Sequence, residues 1–357
     1  GLYVHVPFCK SRCAYCAFVS SVDAFSQADY VRALDREIAE RVHGKIDTVF
    51  IGGGTPSVLD RGLLSRISGS IRKAGELTAD AEITVEANPD SFTRDFIREA
   101  VACGVNRISL GVQSLSDEVL RMAGRRHTAA QAVNAVRAAV ELFPTVSCDL
   151  MLGLPAQTED DVLSAVGTLC REGVSHLSLY ALSVEDGTPL KAAGYKVDED
   201  FAADCYNAAY EKIEAHGLRR YEVSNFCRGD KVCRHNVKYL QRAPYIGVGA
   251  AAHSFVDGVR LSNTEDIAKY IAGTRDEKEI PLTPADALEE YIMLSLRTKW
   301  GADYAELSKL FGGDWKAAKQ GDISALLQGG LIEETENGFR LSEIAYYVMN
   351  KIIVRLL

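Results

Sequence analysis

Leu2-Tyr-Val-His-Val-Pro-Phe-Cys9-Lys-Ser-Arg-Cys13-Ala-Tyr-Cys16 stands at the start of the chain. An apolar, strand-like run gives way to three cysteines spaced C-x3-C-x2-C on one short loop. Three thiolates so placed can hold three irons of a 4Fe–4S cluster and leave the fourth iron open, whereas such clusters normally take four cysteines. An open iron is a place for a substrate or cofactor to bind. The competing reading is three unrelated buried thiols, since free cysteine is among the most buried residue types. The spacing differs from that of ferredoxin runs.

Working outward, the 357 residues suffice for one large α/β domain and a smaller second one. The 47 % hydrophobic and 25 % charged content is ordinary for a globular chain. No run approaches the ~18 uncharged apolar residues of a membrane span. A net charge of −9 argues against a nucleic-acid partner, which needs a basic face. Nine cysteines are an odd number in a large chain. Cys103, Cys148, Cys170 and Cys205 sit within apolar or amphipathic patterns and read as small buried hydrophobes. The clustered thiols read as metal ligands in a reducing compartment, so the cytoplasm is the expected location.

The first two-thirds alternates β-type runs with helical patterns. The strands expected are Leu2–Val6, Thr48–Gly52, Glu82–Ala87, Arg107–Val112, Val146–Leu152 and His176–Leu182. Helical patterns lie at about 27–43, 59–74, 92–103, 128–142, 158–173 and 199–217. Such alternation predicts a parallel sheet with right-handed crossovers. Ligand-type residues at strand C-termini favour a partial (βα)6 TIM-like barrel over a doubly wound open sheet. Tyr221–Phe226 reads as one more edge strand. From 263 the chain turns mostly helical, and Asn337-Gly338 is a hairpin signal, so residues 263–357 resemble a small winged-helix domain after a barrel over 1–262. That tail carries 11 Lys and Arg against 16 Asp and Glu, which speaks for a cover or docking element rather than a DNA reader.

Several strand ends carry groups suited to a polar ligand. Gly52-Gly53-Gly54-Thr55-Pro56 follows an apolar run, and consecutive glycines let a backbone approach a ligand closely. A tight βα turn is the plainer reading. Glu86 and Asp149 are carboxylates within apolar strands, costly there unless paired or bound to a ligand. Gln113 and Arg125 add a neutral amide and a planar cation.

In order, CxxxCxxC, GGGTP, EANP, SLGVQS, GR, DLMLGLP, HLSLY and Arg234-His-Asn-Val-Lys-Tyr239 resemble the oxygen-independent coproporphyrinogen III oxidase family of the radical S-adenosylmethionine (SAM) superfamily. The resemblance spans essentially the whole chain. It implies a 4Fe–4S cluster on Cys9, Cys13 and Cys16. It also implies SAM contacts from Tyr3, Gly53, Gly54, Thr55, Glu86, Gln113, Arg125, Asp149 and Ala181, with His253 at one further contact position. No catalytic residue is implied beyond the cluster.

The family forks. Its decarboxylating oxidases carry a fourth cysteine two residues after the third, and an N-terminal segment before the first strand. Here that position is Phe18, and two residues precede Tyr3. Both features are similar to the heme-chaperone branch, which carries an HNxxYW sequence. This chain has His235-Asn236-Val-Lys-Tyr239-Leu240, so His235 and Tyr239 become the implied heme contacts and Leu240 replaces the tryptophan. The branch implies heme as cargo, heme-accepting proteins as partners, an electron donor such as flavodoxin or ferredoxin, and membrane association only through a partner. The alternatives are coproporphyrinogen III oxidation to protoporphyrinogen IX and a radical SAM methyltransferase or heme-modifying enzyme.

Overall fold

The computed structural model describes residues 1–357. Six parallel strands form the centre: β1 (Leu2–Val6), β2 (Lys45–Gly53), β3 (Glu76–Ala87), β4 (Arg107–Gln113), β5 (Thr145–Leu152) and β6 (His176–Ala181). Between them run α1 (Gln27–Arg41), α2 (Leu63–Ala74), α3 (Arg94–Ala102), α4 (Asp117–Met122), α5 (Ala129–Leu142) and α6 (Glu159–Arg171). The strands pair strictly in chain order, β1 with β2 through to β5 with β6. A doubly wound sheet would reverse that order part-way, so the winding is that of a barrel. The barrel is open, because its two ends pair with different elements. After α7 (Pro189–Ala192) and α8 (Glu199–Ala215), the hairpin β7 (Arg219–Glu222) and β8 (Asn225–Cys227) lies antiparallel on β6. After α9 (Arg234–Leu240), β9 (Ile246–Val248) adds parallel to β1. The expected single strand over Tyr221–Phe226 is thus a hairpin that folds back at Val223-Ser224.

Strand alternation sorts side chains to two faces. Leu2, Val4 and Val6, with Val49, Ile51, Ile108, Leu110, Leu177 and Leu179, belong to the principal apolar core. Each contributes on the order of 1.5–3 kcal/mol when buried. The four deep cysteines expected to act as hydrophobes lie in this same core. The intervening residues, including Tyr3, His5, Thr84, Glu86, Arg107, Ser109, Asp149 and Tyr180, are polar or aromatic and line the interior. Reciprocal capping boxes at Thr128–Gln131 and Thr158–Asp161 start α5 and α6.

A three-stranded sheet follows, β10 (His253–Val256), β11 (Val259–Ser262) and β12 (Lys278–Pro281), interrupted by α10 (Ile267–Ile271). The remainder is α11 (Pro284–Ser295), β13 (Ala302–Asp303), α12 (Tyr304–Phe311), α13 (Trp315–Ala318), α14 (Gln320–Gln328), the hairpin β14 (Ile332–Glu334) and β15 (Gly338–Leu341), and α15 (Met349–Leu356). Helices closed by a small sheet of order β13-β15-β14 give the winged-helix-like form. Tyr270 of α10 packs into the barrel's core, whereas the separate second core begins at Ile292. No helix is long and apolar enough to cross a membrane.

Candidate functional site at the top of the barrel

The cysteine loop leaves the C-terminal end of β1 and is pinned at three places. Cys9 N–H donates to Ser21 O at 2.9 Å, Ala14 N–H to Ala123 O at 3.0 Å, and Cys16 N–H to Cys13 O at 3.2 Å. All three thiols remain partly open, unlike the chain's six other cysteines, which are buried. Each meets a group suited to a sulfur anion. Thr55 Oγ1 lies 3.5 Å from Cys9 Sγ, Arg125 Nη1 donates to Cys13 Sγ at 3.5 Å, and the Phe18 amide donates to Cys16. Burial pushes the Cys9 and Cys16 thiols up, and their hydrogen bonds oppose this.

Beneath the loop, the glycine turn fits for a reason the sequence did not disclose. A Cβ at Gly54 would stand 2.7 Å from Val6 O and 2.8 Å from Phe8 N, and one at Gly52 would strike the Glu86 carboxylate at 2.5 Å. Gly53, at φ +101°, lies flush against the His5 ring. These glycines therefore clear the first strand and Glu86 rather than only a ligand. The turn is locked by Gly54 N–H to Val6 O at 2.8 Å and Thr55 N–H to Phe8 O at 2.7 Å.

Glu86 accepts the Gly53 amide at 3.0 Å. Burial, with the Asp149 carboxylate behind it, pushes Glu86 up to about 7. Asp149 is likewise raised by burial, opposed by hydrogen bonds from Ser178 and Ser109 and by the charges of Arg107 and Arg125. Two carboxylates facing one partly open space and resisting ionisation form a seat for a cation. Gln113 adopts φ +65°, a left-handed conformation, at an irregularity between β4 and β5, and accepts from Tyr180 Oη at 3.3 Å. Strain of that kind in a non-glycine residue aims the side chain off the regular strand face. Tyr3, inside the barrel, shares a 3.0 Å hydrogen bond with His5 Nδ1. Ala181 and His253 are exposed, at the end of β6 and the start of β10.

Asn88 was missed. Its Nδ2 donates to Thr55 Oγ1 at 3.0 Å, and its Oδ1 accepts from Arg125 at 2.7 Å, so it ties the glycine turn to the cation beside Cys13. Its position two residues after Glu86, just past the C-terminal end of β3, was the available signal, because an alternating strand carries such a residue to the same side.

The implied heme contacts are placed elsewhere. His235 is not in a polar loop but in the first turn of α9, wholly buried. Nδ1 is 2.9 Å from Thr48 Oγ1 and Nε2 is 2.7 Å from Tyr239 Oη. Thr48 and Glu82, which accepts the His235 amide at 3.0 Å, are register partners on β2 and β3, below Gly52 and Glu86 on the same strands. Both ring nitrogens are engaged within the protein and the ring is enclosed.

Comparison with known proteins agrees with this architecture. Residues 3–169 match the model of the radical SAM superfamily, and residues 282–348 that of the HemN C-terminal domain. The heme chaperone HemW of Bacillus subtilis is 31 % identical over 369 residues, 98 % of this chain and 97 % of its own. The mitochondrial radical S-adenosyl methionine domain-containing protein 1 of Bos taurus is 34 % identical over 392 residues, 100 % of this chain and 87 % of its own. The chain belongs to the heme-chaperone branch of the radical SAM superfamily. The structure of coproporphyrinogen III oxidase (HemN) from Escherichia coli superposes with a TM-score of 0.85 at 22 % identity, over 99 % of this chain and 89 % of that one, which establishes the shared fold.

The residues present fit the groups this family implies. Three free, partly open thiols on one short loop are the donor set that a cluster ligated at three corners requires. The Arg125 Nε–H is buried without an acceptor, an orphan donor beside Cys13 where an anionic ligand group would satisfy it.

Proposed function

We propose that this protein carries a 4Fe–4S cluster on Cys9, Cys13 and Cys16, binds SAM over the open iron, and carries heme for delivery to acceptor proteins. The observation that carries the reading is the three-thiol loop facing Arg125, whose second donor awaits an acceptor. When bound, the cluster supplies one-electron reduction of SAM, chemistry that belongs to the cofactors. The chain's residues bind and orient. Arg125 takes the carboxylate of SAM, Glu86 and Asp149 face its positive groups, and Gln113 and Ala181 flank the remainder. Tyr3, Gly53, Gly54 and Thr55 shape the floor, and His253 stands at the rim. An electron donor of the flavodoxin or ferredoxin class docks near the exposed loop. Membrane contact arises only through a partner, and a reducing, cytoplasmic setting suits the free thiols.

Phe18, two residues past Cys16, supports the chaperone over the decarboxylating oxidase. The test is to incubate anaerobically reconstituted protein with heme and, separately, with coproporphyrinogen III, SAM and a reductant. Stoichiometric heme binding without porphyrin product is expected. Multiple turnover to protoporphyrinogen IX would replace this reading by the oxidase.

A further inference from the structure

A large cavity lies beside the cofactor end of the barrel, at its open edge. Strand β8 pairs with β6 only as far as Ser178. Above the bond from Leu179 N–H to Ser224 O, the outer edge of β6 has no partner strand. A cavity of about 840 Å3 fills this gap, between β6, α8, the turn of the β7–β8 hairpin and the segment that leads into α15. That volume is within the range of small-molecule sites and suits a flat, heme-sized molecule.

We propose that this cavity is the porphyrin site, and that it grips the macrocycle and its carboxylates rather than the iron. The proposal rests on the heme-carrying reading above and names the place and mode of binding. The walls are apolar, from Leu179, Val197 and Val223, with Tyr206 and Tyr346 offering flat faces. Lys191, Lys196, Arg220 and one carboxylate, Glu199, line it; Lys191 pairs with the exposed Asp186 at 3.3 Å and Arg220 with Glu343, which leaves Lys196 without a carboxylate partner on a chain of net charge −9. An unpaired cation, with two more whose partners are the exposed Asp186 and Glu343, favours an anionic group at the mouth of an apolar pocket. A porphyrin with two propionates has the matching form, an apolar disc with two negative ends.

The iron has no ordinary ligand there. No His, Cys or Met lines the cavity. Four of its five tyrosines spend their hydroxyls on protein acceptors: Tyr180 on Gln113, Tyr195 on Gly153 O, Tyr206 on Val223 O, and Tyr347 on Asn207. The fifth, Tyr346, lies under the Arg220 guanidinium at 3.8 Å, and burial pushes its phenol up to about 12. A cargo held without an axial bond can be released without breaking one. Tyr180 joins the two sites, since it lines the cavity and reaches Gln113 beside Asp149.

The experiment titrates full-length, cluster-loaded protein with heme, metal-free protoporphyrin IX and zinc protoporphyrin, followed by the Soret band and porphyrin fluorescence. All three should bind with similar affinity. Lys191→Glu/Lys196→Glu, a double change at exposed positions, should weaken all three by about tenfold or more, and added salt should reduce the difference. Ala203→Trp, which narrows the cavity from the exposed side of α8, should weaken them as well. Binding of heme alone, with the metal-free ring excluded, would overturn recognition of the macrocycle. Porphyrin binding untouched by either variant would remove the site from this cavity and leave the heme-carrying reading standing. Failure of every porphyrin to bind the wild-type protein would end both.

Discussion

Arg125 donates to the Cys13 thiol at 3.5 Å while its own Nε–H, buried a few ångströms away, meets no acceptor. On the proposed reading this one planar cation tunes a cluster ligand and keeps its Nε–H for whatever sits on the open iron. Lysine keeps the charge but loses the fork. Arg125→Lys should retain the cluster and weaken SAM by about 10- to 100-fold, the worth of a charge-assisted hydrogen bond. Calorimetry on cluster-loaded protein measures it, and equal affinities would make Arg125 a purely structural tie.

Cys9, Cys13 and Cys16 should each be required for an oxygen-labile cluster. Alanine at any one leaves two thiolates for four irons. Iron, sulfide and visible absorbance should be lost in each single variant, while far-ultraviolet circular dichroism persists because none of the three belongs to the apolar core. Retention of the brown chromophore in the triple variant would sink the assignment.

How much of this was legible follows from what each signal depends on. The alternation of apolar runs with amphipathic segments marked all six parallel strands, because the outer face of each strand packs on helices. The cysteine loop and Glu86 were legible because thiols at that spacing and a carboxylate inside a strand are chemically unusual. Asn88 was not, since its role depends on Thr55 and Arg125 arriving from other strands. The burial of His235 was not legible because its sequence neighbours, Arg234, Asn236 and Lys238, are polar, whereas α9 turns its ring inward between Thr48 and Tyr239. The packing of Tyr270 into the barrel's core had no local signal, because it is set by Tyr30 and Glu37 arriving from α1.

Glu86 predicts a pH dependence with a definite sign. Its folded pKa is about 7, above the ordinary 4.5, because burial and Asp149 disfavour the charged form. The unfolded chain therefore gives up its proton first, and this residue's contribution to stability falls as pH rises from about 4.5 to 7. Glu86→Gln keeps an acceptor for the Gly53 amide and removes the charge. It should be more stable than wild type at pH 8 in the ligand-free state, by up to about 3 kcal/mol. A positively charged ligand reverses the preference, so SAM affinity should rise with pH through 7 in wild type, with proton release, and stay flat in the variant. Matching pH profiles for the two proteins would reject Glu86 as the cation's partner.

His235 should act on stability rather than on the heme spectrum. Burial holds it neutral, with its pKa lowered to about 3. Removing the ring strands Thr48 Oγ1 and Tyr239 Oη in the interior at about 1–3 kcal/mol for each group left unsatisfied. His235→Ala should lower the melting temperature by several degrees and leave the Soret maximum of bound heme unchanged. The wild type should lose this residue's contribution as pH falls from 6.5 towards 3, where the unfolded chain takes the proton first. A shifted Soret band in a folded variant would return His235 to the iron.

Phe18 separates carrier from oxidase. It is 69 % exposed, two residues past Cys16, with its backbone amide on that thiol. A cysteine at this point of the loop is the feature that marks the decarboxylating oxidases, and an exposed phenyl ring supplies neither a ligand nor a redox group. Coproporphyrinogen III should therefore persist in the presence of cluster-loaded protein, SAM and a low-potential reductant, while heme binds in a one-to-one ratio. Phe18→Cys should fold as the parent does, since the side chain contributes nothing to the core, and should leave heme stoichiometry intact. If the wild-type protein instead releases protoporphyrinogen over many turnovers, the absence of a thiol at position 18 has no bearing on decarboxylation, and the carrier reading loses its strongest local support.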